Sequence, residues 1–168
     1  MRKFVGLFLL LMLLAVPAFA QDYPKAELFG GYSFMRADTG VGTHYNANGW
    51  AAGLTGNAND WFGVAGYFSG HYKSGVKIYG FLFGPELSYR KNEKVRPFFH
   101  ALFGGAHGSG GGGSDNAFAM AYGGGFDVKA NDKVAIRVAQ FDYVATRFGG
   151  VFEHNYAFSA GVVFRFGQ

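Results

Sequence analysis

The stretch YAFSAGVVFRFG, Tyr156–Gly167, decides how the rest of the chain is read. Its even positions are Tyr156, Phe158, Ala160, Val162, Phe164 and Phe166. Its odd positions are Ala157, Ser159, Gly161, Val163, Arg165 and Gly167. Successive side chains of a β-strand point to opposite faces. This is therefore a strand with one bulky apolar face and one small, polar face that carries a single charge.

The same division recurs upstream. Residues 118–129 set Phe118, Met120, Tyr122, Phe126 and Val128 against Ala119, Ala121, Gly123, Gly125, Asp127 and Lys129. Residues 77–90 set Tyr79, Phe81, Phe83, Leu87 and Tyr89 against Gly80, Gly84, Glu86, Ser88 and Arg90. Residues 95–106 set Val95, Phe99, Ala101 and Phe103 against Arg96, Phe98, His100 and Gly104, and residues 26–36 set Leu28, Tyr32 and Phe34 against Glu27, Gly31 and Ser33. Fainter strands lie at 48–57, with Trp50, Ala52 and Leu54 on one face, and at 61–72, with Phe62, Val64 and Phe68. The eighth, 134–146, opens with Val134, Ile136 and Val138 opposite Arg137, and then Asp142 falls on the wrong face. A β-bulge near Ala139–Gln140 is expected to restore the parity.

Eight strands of about 9–13 residues suffice to cross a bilayer at a tilt. Asn57–Asp60, Lys91–Lys94 and Ala130–Lys133 are short polar turns. The other connections, 37–47, 72–76, 107–115 and 147–155, are mostly longer and rich in glycine. Short turns at one end and longer loops at the other are the pattern of outer-membrane barrels. The run Gly108–Ser114 reads as a flexible surface loop; it lacks the Lys-Ser/Thr ending of a phosphate-binding loop.

Residues 1–20 read as a cleaved secretory signal peptide, leaving 21–168 as the barrel. Arg2 and Lys3 form the charged start, Phe4–Val16 the apolar run, and Ala18-Phe19-Ala20 the cleavage site. The apolar run is too short for a spanning helix. Composition agrees with export to a membrane. Charged residues are only 15% of the chain, while aromatics reach 19%, so the surface is short of charge. There is no cysteine, which excludes disulfides, thiolate metal sites and a catalytic thiol. Removing Arg2 and Lys3 from 15 basic residues leaves 13 against 11 acidic. That balance, scattered along the chain, gives no case for nucleic acid.

Which face points outward follows from volume. An eight-stranded barrel has an interior that side chains just fill, so the bulky face must turn outward and only lipid tolerates it. The expected fold is an all-β, eight-stranded antiparallel up-and-down transmembrane β-barrel. Its closed hydrogen-bonding leaves no backbone group unsatisfied in hydrocarbon. The interior then holds Glu27, Glu86, Asp127 and Asp142 with Arg90, Arg96, Arg137 and Arg165. Buried charges persist when paired. An internal salt-bridge network is expected, with His100 near Glu86 across one hairpin.

These residues resemble the OmpA/OmpX-like small outer-membrane β-barrel superfamily. The likeness rests on Glu27–Ser33 (ELFGGYS), Phe83–Glu86 (FGPE), Pro97–Gly104 (PFFHALFG), Gly123–Asp127 (GGGFD), Asp142-Tyr143 and the closing Val163–Phe166 (VFRF). It implies a Gram-negative outer-membrane location, among lipid and lipopolysaccharide, as a monomer. It also implies that Phe164 and Phe166 form the C-terminal signal read by the barrel-assembly machinery, here followed by Gly167 and Gln168. The peptidoglycan-binding domain of some relatives is not expected.

No cofactor or metal is expected, because His44, His71, His100, His107 and His154 show no ligand spacing. His71 and His154 fall at the outer strand ends and read as solvated or girdle residues. Lipid A deacylases of similar shape use a His-x-Ser pair, and His107-Gly108-Ser109 has that spacing. A serine nucleophile needs a histidine base oriented by a carboxylate. No Glu stands between Glu93 and Glu153, and Asp115 is the only nearby acid. The chain is expected not to be an enzyme. The expected role is structural, adhesive or in envelope integrity, with a largely plugged interior. The alternative is a narrow porin for small solutes; a lipid A-modifying enzyme is the remote one.

Overall fold

The computed structural model describes residues 23–38, 44–110, 112–148 and 151–167. The expected signal peptide lies outside them. Eight strands follow in chain order: β1 (Ala26–Asp38), β2 (His44–Asn57), β3 (Phe62–Lys73), β4 (Val76–Ser88), β5 (Val95–Gly110), β6 (Gly113–Lys129), β7 (Val134–Phe148) and β8 (Val151–Phe166). Each pairs antiparallel with the next, and β1 pairs with β8, closing the barrel.

Side-chain alternation decides what lies inside. Leu28, Tyr32, Trp50, Leu54, Val64, Phe68, Phe81, Phe83, Phe99, Phe103, Phe141, Phe158 and Phe164 all face outward, each more than a third exposed in the isolated chain. Alanines 47, 51, 65, 106, 119, 121, 135 and 157 are buried, with nearly all the charges named above. The expected bulge is present, centred on Val138–Ala139. Phe126 stands opposite Ala139 and Asp127 opposite Arg137, so Val138 is the additional residue. Ile136 and Val138 face out, whereas Gln140 and Asp142 face in. The bulge thus exchanges the faces and delivers Asp142 to the lumen.

The three short turns share one device. Asn59, Asn92 and Asn131 each accept, through Oδ1, the backbone N–H groups two and three residues on. These Asx turns satisfy the donors left free where a strand reverses. At the other end the β3–β4 hairpin turns on Ser74 and Gly75, with φ of 45° and 85°. That is the twist a two-residue hairpin requires.

Two expectations are corrected here. The strands run beyond their expected ends on the long-loop side. In particular, Gly108–Ser114 is not a free loop: Gly108 pairs with Asp115, Ser109 with Ser114 and Gly110 with Gly113. A glycine run shows no side-chain alternation, yet its backbone can continue a ladder that flanking residues have begun. The interior is also not confined to small and ionic residues. Phe29, Phe98, Leu82, Leu102 and Met35 are buried there, and the ring of Tyr67 packs against Phe29.

At the closing seam, glycine is required by close approach. A Cβ on Gly161 would sit 2.2 Å from the carbonyl oxygen of Gly30. Likewise, a Cβ on Gly123 would sit 2.1 Å from Asp142 Oδ1.

Candidate functional site

The lumen is crossed by one connected chain of polar side chains from six strands and one turn. Arg90, just after β4, bonds Glu27 of β1 at 3.2 Å, and Glu27 also accepts from Arg96 of β5. Arg96 reaches Asp127 of β6 at 2.6 Å. Asp127 also accepts from Arg137 of β7, at 2.8 Å from Nε and 3.2 Å from Nη2. Arg137 Nη1 donates to Gln140 Oε1 at 2.8 Å, and Gln140 Nε2 donates to Asp142 Oδ2 at 2.6 Å. Asp142 Oδ1 then meets His100 Nε2 at 2.8 Å, and His100 Nδ1 lies 4.0 Å from Glu86 of β4. Thr55 of β2 donates to Glu86 at 3.5 Å.

Aromatic rings hold this chain in place. The guanidinium of Arg137 lies between the rings of Phe98 and Phe29, 4.1 and 4.5 Å from their centroids. Cation–π attraction is strongest where water is absent, and both rings are buried. Tyr67 stacks over Phe29 and its hydroxyl bonds Ser159 at 3.1 Å. From Ser159 the bonds run to Ser33 and on to His71 Nε2, at 3.0 and 2.9 Å.

Of the residues singled out in the sequence, Glu27, Glu86, Arg90, Arg96, His100, Asp127, Arg137 and Asp142 come together in this chain. Arg165 does not: its guanidinium has no hydrogen bond or ion pair among the described residues, and its Nε is buried without a partner. Arg165 sits near the end of β8 directly opposite Glu27, whose carboxylate is already bonded by Arg90 and Arg96. His71 is also corrected. It is a lumen residue, 2% exposed and bonded to Ser33, not a solvated strand end. His154 does lie on the outer face, against Tyr143. Phe164 and Phe166 face outward at the end of β8.

Sequence reasoning passed over Phe29, Tyr67 and Gln140. The first two were legible by parity, because both share the face of Glu27 or Ala65. The expectation of a small-residue interior overrode that signal. Gln140 depends on the bulge.

Above the charged layer, toward the longer hairpins, Ser33, Tyr67, His71, Leu82, Ala121 and Asn155 surround a cavity of about 50 Å³. Below it, at the short-turn end, Arg90, Lys94, Arg96, Lys129 and Arg165 line one of about 160 Å³. His107 engages Asn116 through Nδ1 at 2.8 Å. Asp115 accepts from the backbone of Asn116. No bond joins His107, Ser109 and Asp115 among the described residues. No cluster of metal-ligating side chains occurs among them either.

No family model and no curated protein matches the sequence. Solved structures do match. Neisserial surface protein A is 14% identical, covering 87% of this chain and 100% of its own, with a TM-score of 0.73. The attachment invasion locus protein of Yersinia pestis is 22% identical over 84% and 99%, with a TM-score of 0.58. The N-terminal β-barrel domain of Pseudomonas aeruginosa OprF is 11% identical over 86% and 100%, with a TM-score of 0.57. With its closed up-and-down order and outward apolar face, the chain has the fold of the small, eight-stranded OmpA/OmpX-like outer-membrane β-barrels.

Proposed function

We propose that the chain is exported by its N-terminal signal and inserted in a bacterial outer membrane as a monomeric barrel with a closed lumen. There it serves as a structural or adhesive element of the envelope, with no catalytic role. The support for a membrane is the outward face. Phe81, Phe83, Leu54 and Val64 form its apolar middle. Toward the long hairpins Tyr32, Trp50 and Tyr72 satisfy their polar atoms through Asn48 and one another; Trp61 and Tyr89 face outward near the short turns. Aromatic girdles at both edges of an apolar band are the outer surface a bilayer selects. Lipid and lipopolysaccharide would cover that surface, and Phe164 and Phe166 would present the assembly signal.

The observation that carries the closed lumen is the Arg137 guanidinium, held between Phe29 and Phe98 and bonded to Asp127 and Gln140. A cation with both faces and its edge engaged is a stopper, not a mobile gate. The Yersinia neighbour is named for attachment and the Neisserial one for the cell surface, which favours the adhesive half of the reading. Planar-bilayer recording of the refolded barrel is the test. A silent bilayer is expected. Stable unitary openings from the native fold would overturn closure and select the narrow porin.

A further inference from the structure

We infer that the short-turn mouth of the barrel is a binding site for one phosphate-type oxyanion, with Arg165 and Lys94 as its principal ligands. Five cationic side chains line this cavity: Arg90, Lys94, Arg96, Lys129 and Arg165, with Glu93 as the single acid among the lining residues. Three of the five are already compensated. Arg90 and Arg96 share Glu27, Arg96 also holds Asp127, and Lys129 is bonded to Asp132 at 2.7 Å. Lys94, Arg165 and Glu93 have no ion pair among the described residues, which leaves the lining with a surplus of positive charge.

The second observation is independent of charge counting. Six buried side-chain polar atoms in the described residues have no hydrogen-bond partner. Three are the Nε atoms of Arg90, Arg96 and Arg165, all donors and all on residues that line this mouth. Of the unpartnered acceptors, Glu27 Oε2 is the nearest along the chain of bonds, but Glu27 does not line the cavity. A buried donor without an acceptor is costly, and guanidinium groups match the tetrahedral oxygens of phosphate. A phosphate-type oxyanion meets that surplus, and its several oxygens can accept from more than one of these side chains at once. The same chemistry could come from a soluble phosphate or from the headgroup of an inner-leaflet phospholipid.

The test uses the full barrel refolded in octyl glucoside, which carries no phosphate, with inorganic phosphate as probe. Isothermal titration should show saturable one-site binding that weakens as salt is raised. Arg165→Met should weaken it at least tenfold and Lys94→Met several-fold. Lys91→Met, in the same turn but outside the cavity, should leave it unchanged. Without phosphate, Arg165→Met should unfold at the same or a higher urea midpoint than wild type, because Arg165 has no hydrogen bond or ion pair among the described residues to lose and its Nε is buried unsatisfied. Dihexanoyl phosphatidylglycerol below its micellar concentration separates the sources. Displacement of phosphate by it assigns the site to a headgroup, and failure to displace assigns it to the soluble anion. Absence of saturable binding to either probe, or unaltered affinity in Arg165→Met, would overturn the site.

Discussion

Replacing Asp127 with alanine is the sharpest perturbation of the lumen. Asp127 is wholly buried and accepts three hydrogen bonds from two guanidinium groups, at 2.6, 2.8 and 3.2 Å. Its loss leaves Arg96 with Glu27 alone and Arg137 with Gln140 and two ring faces. Each charge-assisted bond contributes roughly 1.5–3 kcal/mol, but bonds to one carboxylate are not additive. Removing one partner of a buried pair costs about 3–5 kcal/mol, and the upper half of that range is expected because two cations are stranded. Asp127→Asn keeps the shape and one acceptor oxygen, so roughly half that loss should follow. The assay is equilibrium urea unfolding in lipid vesicles, read by the fluorescence of Trp50 and Trp61 on the outer face. The urea dependence should keep its slope, so that the midpoint reports stability. Adding Arg137→Met to Asp127→Ala should recover part of the loss, since apolar replacement of a stranded charge is favourable. A loss below about 1 kcal/mol, in the range of a solvent-exposed pair, or no recovery in the double variant, would refute the account of a dry, mutually dependent charge layer.

Two further outcomes check sidedness and close packing. Phe83→Arg, in the middle of β4 on the outer face, should cost about 2–4 kcal/mol in vesicles. It should have little effect in a detergent micelle that deforms around the charge; equal effects in both would contradict a bilayer-facing position. Gly123→Ala should cost about 1–3 kcal/mol by the same unfolding assay, because the added carbon would meet Asp142 Oδ1 and the carbonyl of Phe141 at 2.1 and 2.2 Å. A neutral result would mean that β6 and β7 separate there at no cost.

Much of this architecture is visible in the amino-acid order because a strand has a period of two. Phe158, Phe164, Phe81 and Phe103 declare the outer face, and Glu27, Arg96 and Asp127 the inner one, without knowledge of which strands touch. Even the bulge is legible, since Asp142 on the lipid face would be intolerable and only an inserted residue restores it. The hairpin at Gly108–Ser114 was not legible, for the complementary reason: without side chains there is no parity to read, and its pairing comes entirely from the ladder already set by β5 and β6.

Partnership inside the lumen lies beyond that period. Arg96, Arg137 and Arg165 look alike in sequence, each on an inward position of a strand. What separates them is their height in the barrel and the stagger between strands. Direct pairing of Arg96 with Asp127, and the bulge-shifted pairing of Arg137 with the same residue, place two guanidiniums around one carboxylate. Arg165 pairs along the backbone with Glu27, but that acid is taken by Arg90 and Arg96. The barrel thus contains enough acids for a formal balance along the chain, yet not at each level. The upper levels close on themselves through Gln140, His100 and the two rings. The surplus of positive charge collects at the short-turn mouth, where an anion from outside the chain can complete it.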